Sequence, residues 1–260
     1  MTEAEVRVGD LHLIGRITGA SNTTVLARLG DPDAGPYVVY KPISGERPLW
    51  DFPDGTLAGR ERAAYVLSGA GGWDLVPPTV LRDGPRGPGM VQAWVGEPGE
   101  AESVVHVLRV GSDPTGLIPV LRAEDEDGRP ALIAHESAAD VRSLAVLDAV
   151  INNADRKGAH AFRYDGRLYA VDHGVTFHRE DKLRTVLWGW AGDALPDEDV
   201  ARLAALAGEL DSSAALLGDL AVLLTDAEIA ALRGRIAHLL RTRRHPEPPD
   251  GWPAIPWPPL

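Results

Sequence analysis

Apolar and polar positions alternate at strand spacing through most of the first hundred residues. LHLIGRI (11–17) and TTVLARL (23–29) are rich in aliphatic and β-branched residues and flank TGASN, a cluster of small and polar turn formers. YVVYKP (37–42), closed by proline, completes a predicted antiparallel meander. LAGRERAAYVLSGA (57–70) sets Leu57, Ala64, Tyr65 and Ser68 at helical spacing, and GAGG ends it. VPPTVLR (76–82) and GMVQAWV (89–95) predict two more strands around the turn DGPRGPG. The pattern is weaker over 96–136, where GLIPVLRAEDEDGRPALIAHE predicts a hairpin turning at the acidic EDEDG.

After residue 136 the period becomes helical. SAADVRSLAVLDAVINN (137–153) begins with a serine N-cap and carries Val141, Leu144, Ala145, Leu147, Asp148 and Ile151 on a helical pattern. It runs into ADRKGAH, and AFRYDGRLYAVDHG (161–174) follows as a hairpin with Asp165-Gly166 at its turn. Three helices are predicted from 197 onward, in DEDVARLAALAGEL, SSAALLGDLAVLL and DAEIAALRGRIAHLLRTRR. The last stretch, HPEPPDGWPAIPWPPL, reads as either a disordered end or an extended strap packing its tryptophans on the body. The expectation is an α+β fold of two lobes with a cleft between them. Residues 1–95 form a β-rich lobe with one helix, 96–245 a mainly helical lobe, and 246–260 a Pro/Trp-rich tail.

Composition narrows this further. The 260 residues are 44% apolar and 25% charged, as in an ordinary globular protein. No apolar run is long enough to predict a membrane span, and the start MTEAEVRVGD lacks the features of a signal peptide, so a cytoplasmic location is expected. The absence of cysteine excludes disulfides, thiolate metal sites and a cysteine nucleophile. A net charge of −12 argues against nucleic acid as a partner. RTRR at 241–244 reads as a cationic helix C-terminus. Of 26 basic residues only Lys41, Lys157 and Lys182 are lysine. A chain that uses arginine elsewhere marks those positions as candidates for a compact ammonium charge.

The densest polar cluster is NNADRKGAH…YAVDHG. The hairpin should bring His160 and Asp172 together, with Asp155 in the loop before it. Two carboxylates and a further ligand are what phosphoryl transfer needs: one group orients the attacking hydroxyl, and the others hold metal on the phosphates.

D-R-K-x-x-H followed by Y-D-G-x-L-x-x-x-D-H-G resembles the catalytic and metal-binding loops of phosphatidylinositol 3-/4-kinases, the atypical branch of the kinase fold. The chain is similar in particular to short actinobacterial members of that group, over roughly residues 10–200. The resemblance implies a protein-kinase-like fold, ATP as cofactor and Mg²⁺ or Mn²⁺ as metal. It implies that Asp155 orients the acceptor hydroxyl, that Lys157 meets the γ-phosphate, and that His160 and Asp172 bind metal. Lys41 and Glu61 would form the lysine–glutamate pair behind the α- and β-phosphates. GASNT (19–23) would cover the phosphates through Ser21, Asn22 and Thr23, by hydroxyl, amide and backbone N–H. MVQAWVG (90–96), with Gln92 and Trp94, would be the hinge facing adenine. The chain departs from the family where His160 replaces asparagine and His173 replaces phenylalanine, which bears on metal preference and on the packing that sets activity. Its phosphate loop also lacks the glycine-rich pattern of ordinary protein kinases.

The expected acceptor is a protein side chain, the chain's own included, ahead of a small-molecule alcohol or an inositol lipid. Arg179, Lys182 and Arg184 are the candidates for an anionic headgroup. The rival readings are a pseudokinase that binds nucleotide with little turnover, transfer of AMP, and a metal-dependent phosphohydrolase built on Asp155, His160, Asp172, His173 and His178. His135, His178, Trp188 and Trp190 otherwise read as structural.

Overall fold

The computed structural model describes every residue except 20, 126 and 252. One loop residue of GASNT, one of the acidic turn and one tryptophan of the tail therefore lie outside the described residues.

The N-terminal strands form one antiparallel sheet in the order β1-β2-β3-β5-β4, from β1 (Leu11–Arg16), β2 (Val25–Leu29), β3 (Tyr37–Pro42), β4 (Thr79–Gly84) and β5 (Gly87–Ala93). Val38, Tyr40, Val80 and Val91 form its apolar layer with Ala27 and Leu29. A short helix α1 (Glu3–Arg7), not foreseen from periodicity, covers that layer with Val6. Its signal was a capping box, with Thr2 accepting from the Glu5 N–H and Glu5 reaching back. Gly89 is required where β5 crosses β3, since a Cβ there would stand 2.5 Å from the Lys41 carbonyl oxygen.

Helix α2 (Leu57–Ala70) spans the predicted residues and is capped by Thr56. Its apolar residues Ala63, Ala64 and Leu67 join the larger core with the C-terminal helices, not the layer on the N-terminal sheet. Arg60 fastens it there: the buried guanidinium pairs with Glu228 at 2.5 Å and donates to the Thr176 carbonyl at 2.7 Å. The residue that follows, Glu61, is thereby held in place.

Between residues 96 and 136 the predicted hairpin exists as β8 (Leu117–Glu124) and β9 (Pro130–Glu136). Two strands were missed. β7 (Val105–Arg109) pairs with β9, and β6 (Glu102–Ser103) pairs with β10 (Ala161–Tyr164). β10 and β11 (Arg167–Ala170) form the second hairpin, with Asp165 and Gly166 both at positive φ as a two-residue turn requires.

Helix α3 (Ala139–Ile151) is buried along almost its whole length. The expected serine cap is absent: Ala138 is the N-cap and contributes no side-chain bond. α4 (Asp197–Ser212), α5 (Ala214–Ala221) and α6 (Asp226–Thr242) close the core through Leu203, Leu206, Leu220, Leu232 and Ile236. Trp188 and Trp190 are buried, and Arg241 occupies the last turn of α6. The tail is a strap: Trp257 is 80% exposed, and among the described residues of 246–260 Pro256 and Pro259 are the buried ones. Among the described residues no helix is long and apolar enough to cross a membrane.

Candidate functional site

A cleft of about 330 Å³ opens between the N-terminal sheet and the β10–β11 hairpin. Ile17, Thr24, Val39 and Lys41 line one wall, Gln92 to Val95 the back, and His160, Phe162, Val171 and Asp172 the other wall.

Lys41 projects from the end of β3 into this cleft. Its Nζ lies 2.5 Å from Glu61 Oε1 and 2.8 Å from Asp172 Oδ1, so one ammonium joins a carboxylate of α2 to one after β11. Burial opposes the charge on Lys41, but Asp172 and Glu61 together raise its pKa above the ordinary value. Desolvation within the cleft works against ionised Asp172, although its side chain is 47% exposed, yet Lys41 and then His160 hold that carboxyl far below its usual range. Glu61 is 1% exposed and burial raises its carboxyl, with Lys41 opposing. Its second oxygen accepts the His173 N–H at 2.8 Å, fixing the backbone beside Asp172. Asp172 itself has φ 59°, a left-handed conformation that a β-carbon residue takes at a cost.

His160 ends a 3-10 turn, Gly158–His160. Its Nε2 stands 3.2 Å from Asp172 Oδ2, and its Nδ1 stands 3.1 Å from the Asp155 carbonyl oxygen. Burial lowers its pKa to about 4, with Asp172 opposing. A neutral imidazole carries one proton, and the carbonyl is a natural acceptor for it on Nδ1. Nε2 then points a lone pair at a carboxylate oxygen. Two acceptors facing one another at that distance suit a cation: adjacent ligands at roughly 2.1 Å from an octahedral ion are about 3 Å apart. This pair fits Mg²⁺ or Mn²⁺ in its donor chemistry, with imidazole favouring the latter. It is a two-donor arrangement: among the described residues no group of three or more such side chains is set to hold a metal.

Asp155 lies in the loop after α3. Burial raises its carboxyl and Asp172 adds to this, while Lys157, with Nζ 3.4 Å from Asp155 Oδ2, works against it. The loop owes its shape to residues that the sequence reading did not single out. Arg156 is wholly buried, and its guanidinium makes a bidentate pair with Asp148 of α3, both bonds 2.9 Å. It also donates to the carbonyls of His160 and Val171 and meets His173 Nε2 at 2.7 Å. Asn153 Nδ2 donates to Asp148, and Asn153 Oδ1 accepts the Asp155 N–H. Asn152, left-handed at the end of α3, donates to the carbonyls of His178 and Glu180 and accepts the Lys182 N–H. The available signal was a lone aspartate on an apolar helix face, followed by an asparagine doublet at the helix end.

Several expected contacts take another form. Asn22 Oδ1 accepts the Arg47 N–H, and the Thr23 N–H donates to the Gly45 carbonyl. Both groups hold loop 43–47, and Ser21 is exposed. Gln92 is buried and donates to Thr79 at 2.8 Å. The Trp94 N–H donates to the Tyr37 carbonyl, while its buried indole Nε1 has no partner among the described residues. Lys182, of the proposed headgroup cluster, is buried and pairs with Asp51 at 3.1 Å beside Phe52. The hydrolase constellation is not assembled: His173 is spent on Arg156, and His178 packs edge-on against Phe52. His135 is buried and accepts the Gly189 N–H.

The fold is kinase-like. The crystal structure of the Golgi casein kinase with Mn/ADP bound superposes with a TM-score of 0.54, at 14% identity, over 92% of this chain and 74% of that one. The Helicobacter pylori proinflammatory kinase CtkA covers 92% of this chain and 95% of its own at a TM-score of 0.48 and 9% identity. No protein-family model matches the chain. The chain belongs to the family of Protein Rv2133c of Mycobacterium tuberculosis (strain ATCC 25618 / H37Rv), with which it is 47% identical over 261 residues, 96% of this chain and 92% of that protein.

The buried imidazoles carry a pH prediction. Burial depresses His160 and His245 to about 4, and it holds His173 well below its ordinary value, the unfolded chain being near 6.5. Their contribution to stability is therefore complete above pH 6.5 and lost as pH falls toward 4. Each of the two valued groups is worth up to about 3 kcal/mol at the acid end. Melting temperature should decline steadily from pH 6.5 to 4, with a shallower decline in His160→Asn. A flat profile would show that these rings are not held neutral.

Proposed function

We propose that the protein binds ATP with a divalent cation in this cleft and transfers the γ-phosphoryl group to a hydroxyl acceptor, a protein side chain, its own included. One observation carries the reading. A single ammonium, Lys41, joins the buried Glu61 to Asp172, and His160 faces the other Asp172 oxygen across a gap suited to a cation. The Mn/ADP complex of the kinase with the same fold supports the choice of ligands.

In this reading Lys41 meets the α- and β-phosphates, and Glu61 keeps it extended. Asp172 and His160 would hold the cation, which when bound would supply charge neutralisation for the transferred group. Asp155 orients the acceptor hydroxyl and takes its proton, a role helped by the upward pressure of burial on its carboxyl. Lys157 lies close enough to Asp155 to follow the charge onto the departing phosphate. Trp94 and Val95 back the base. The relation to phosphatidylinositol 3-/4-kinases belongs to this proposal as well. A protein acceptor is preferred to an inositol lipid because Lys182, one of three cations offered to a headgroup, is bound to Asp51.

The test is incubation with γ-labelled ATP and Mn²⁺ or Mg²⁺. Label should pass to the protein or an added acceptor. Asp155→Asn should lower the rate by about 10²–10⁴-fold while keeping nucleotide affinity. Undiminished transfer in that variant would remove Asp155 from the mechanism. Release of free phosphate with no labelled acceptor would point to a hydrolase.

A further inference from the structure

The segment 254–260 lies against the loop that carries the proposed chemistry. Three chain segments meet in a ladder. The Arg156 N–H donates to the Arg184 carbonyl at 3.0 Å, and the Val186 N–H donates to the Arg156 carbonyl at 3.1 Å, a parallel bridge between loop and segment. On its other side that segment takes the tail: the Thr185 N–H and Trp188 Nε1 both donate to the Ala254 carbonyl, at 3.0 and 2.8 Å. Five residues further along, the Pro259 carbonyl accepts the N–H of Gly158 at 2.8 Å.

Gly158 opens the 3-10 turn that ends in His160, and it immediately follows Lys157. Its N–H is one of the donors such a turn leaves without an internal partner. A Cβ on Gly158 would stand 3.0 Å from Leu260 and 3.1 Å from Val105, so the tail and β7 close on this turn from two sides. Ile255 packs on the main core, and Pro256 and Pro259 are buried. Prolines suit such a strap: they lose little backbone freedom on docking and offer carbonyls without competing N–H groups.

We propose that residues 254–260 are a positioning element of the site, holding the 156–160 loop so that His160 faces Asp172 and Lys157 stays beside Asp155. The segment makes its hydrogen bonds through carbonyls at its two ends, with Pro256 buried between them, and a peptide of the same residues carries all of these groups.

The experiment compares the full chain with one ending at Pro253, by amide hydrogen exchange and by Mn²⁺ titration. Truncation should speed exchange at Gly158 and Thr185 by tenfold or more on the order of a local opening, and weaken Mn²⁺ binding by a similar factor. The helical core should keep its protection. A synthetic peptide of residues 253–260 should restore both quantities saturably. Unchanged exchange at Gly158 and Thr185 in a truncated chain that still melts cooperatively would overturn the proposal, as would faster exchange that the peptide cannot reverse. Should truncation abolish the cooperative melt, Pro256→Gly/Pro259→Gly loosens the strap in a chain of full length and is read in the same way. The functional meaning of the loop rests on the phosphotransfer reading. The exchange result does not, so absent phosphotransfer together with faster exchange would fault that reading and leave the positioning role intact.

Discussion

Asp172→Asn is expected to abolish Mn²⁺-dependent stabilisation by nucleotide and to reduce phosphotransfer by about three orders of magnitude or more. The asparagine keeps the size of the side chain and one oxygen. It loses the charge that draws Lys41 to 2.8 Å and the anionic partner that His160 faces at 3.2 Å. The fold should survive. The Asp172 side chain is 47% exposed, and an ion pair with so much access to water contributes within about 1 kcal/mol. Loss of function without loss of melting temperature is thus the signature to look for. Thermal shift provides the measurement: a ligand at about 100 times its dissociation constant adds roughly 2.7 kcal/mol to the wild type. Lys41→Met should weaken the same shift for nucleotide while leaving some Mn²⁺ binding. An Asp172→Asn protein that keeps the full Mn²⁺-nucleotide shift would show that the cation is held elsewhere.

Arg156→Met is expected to act in the opposite way, through stability. It leaves Asp148 wholly buried with its charge unpaired and strips donors from the His160 and Val171 carbonyls. Breaking a buried pair from one side costs about 3–5 kcal/mol, a large part of the margin of a typical domain. Urea denaturation should show the midpoint falling with little change in slope. Asp148→Asn in the Arg156→Met background removes the unpaired charge and should recover part of the loss. That cycle separates the charge term from the carbonyls left without donors. If the single variant costs under 1 kcal/mol, Arg156 is not what holds the loop against α3.

Much of this architecture is local enough to read along the chain. The boundaries of α2 and of the β10–β11 hairpin follow from a threonine cap, a glycine run and an Asp-Gly turn, all set within a few residues. The meander and the three last helices follow from period alone. β6 escaped because two residues are too few to show alternation, and β7 because only Val105 of its five residues is buried, so it presents no apolar face. The serine cap failed by one residue, since a helix start depends on where the preceding strand β9 delivers the chain.

The site divides along the same line. Residue type and order alone bring forward Lys41, Asp155, Lys157, His160 and Asp172, because rare lysines and a dense polar cluster stand out in an arginine-rich chain, whereas Glu61 comes only from the resemblance to a kinase family. What those groups touch was decided by tertiary structure. Only packing turned Glu61, flanked by Arg60 and Arg62, inward to Lys41, and only the docking of α2 on Glu228 kept it there. Only the fold spent His173 on Arg156 and Lys182 on Asp51, removing both from the chemistry that sequence offered them. Sequence sets the inventory of charge and the local turns, whose energies act over a few residues. Burial decides which charges must be paired, because desolvation depends on what the rest of the chain places around them.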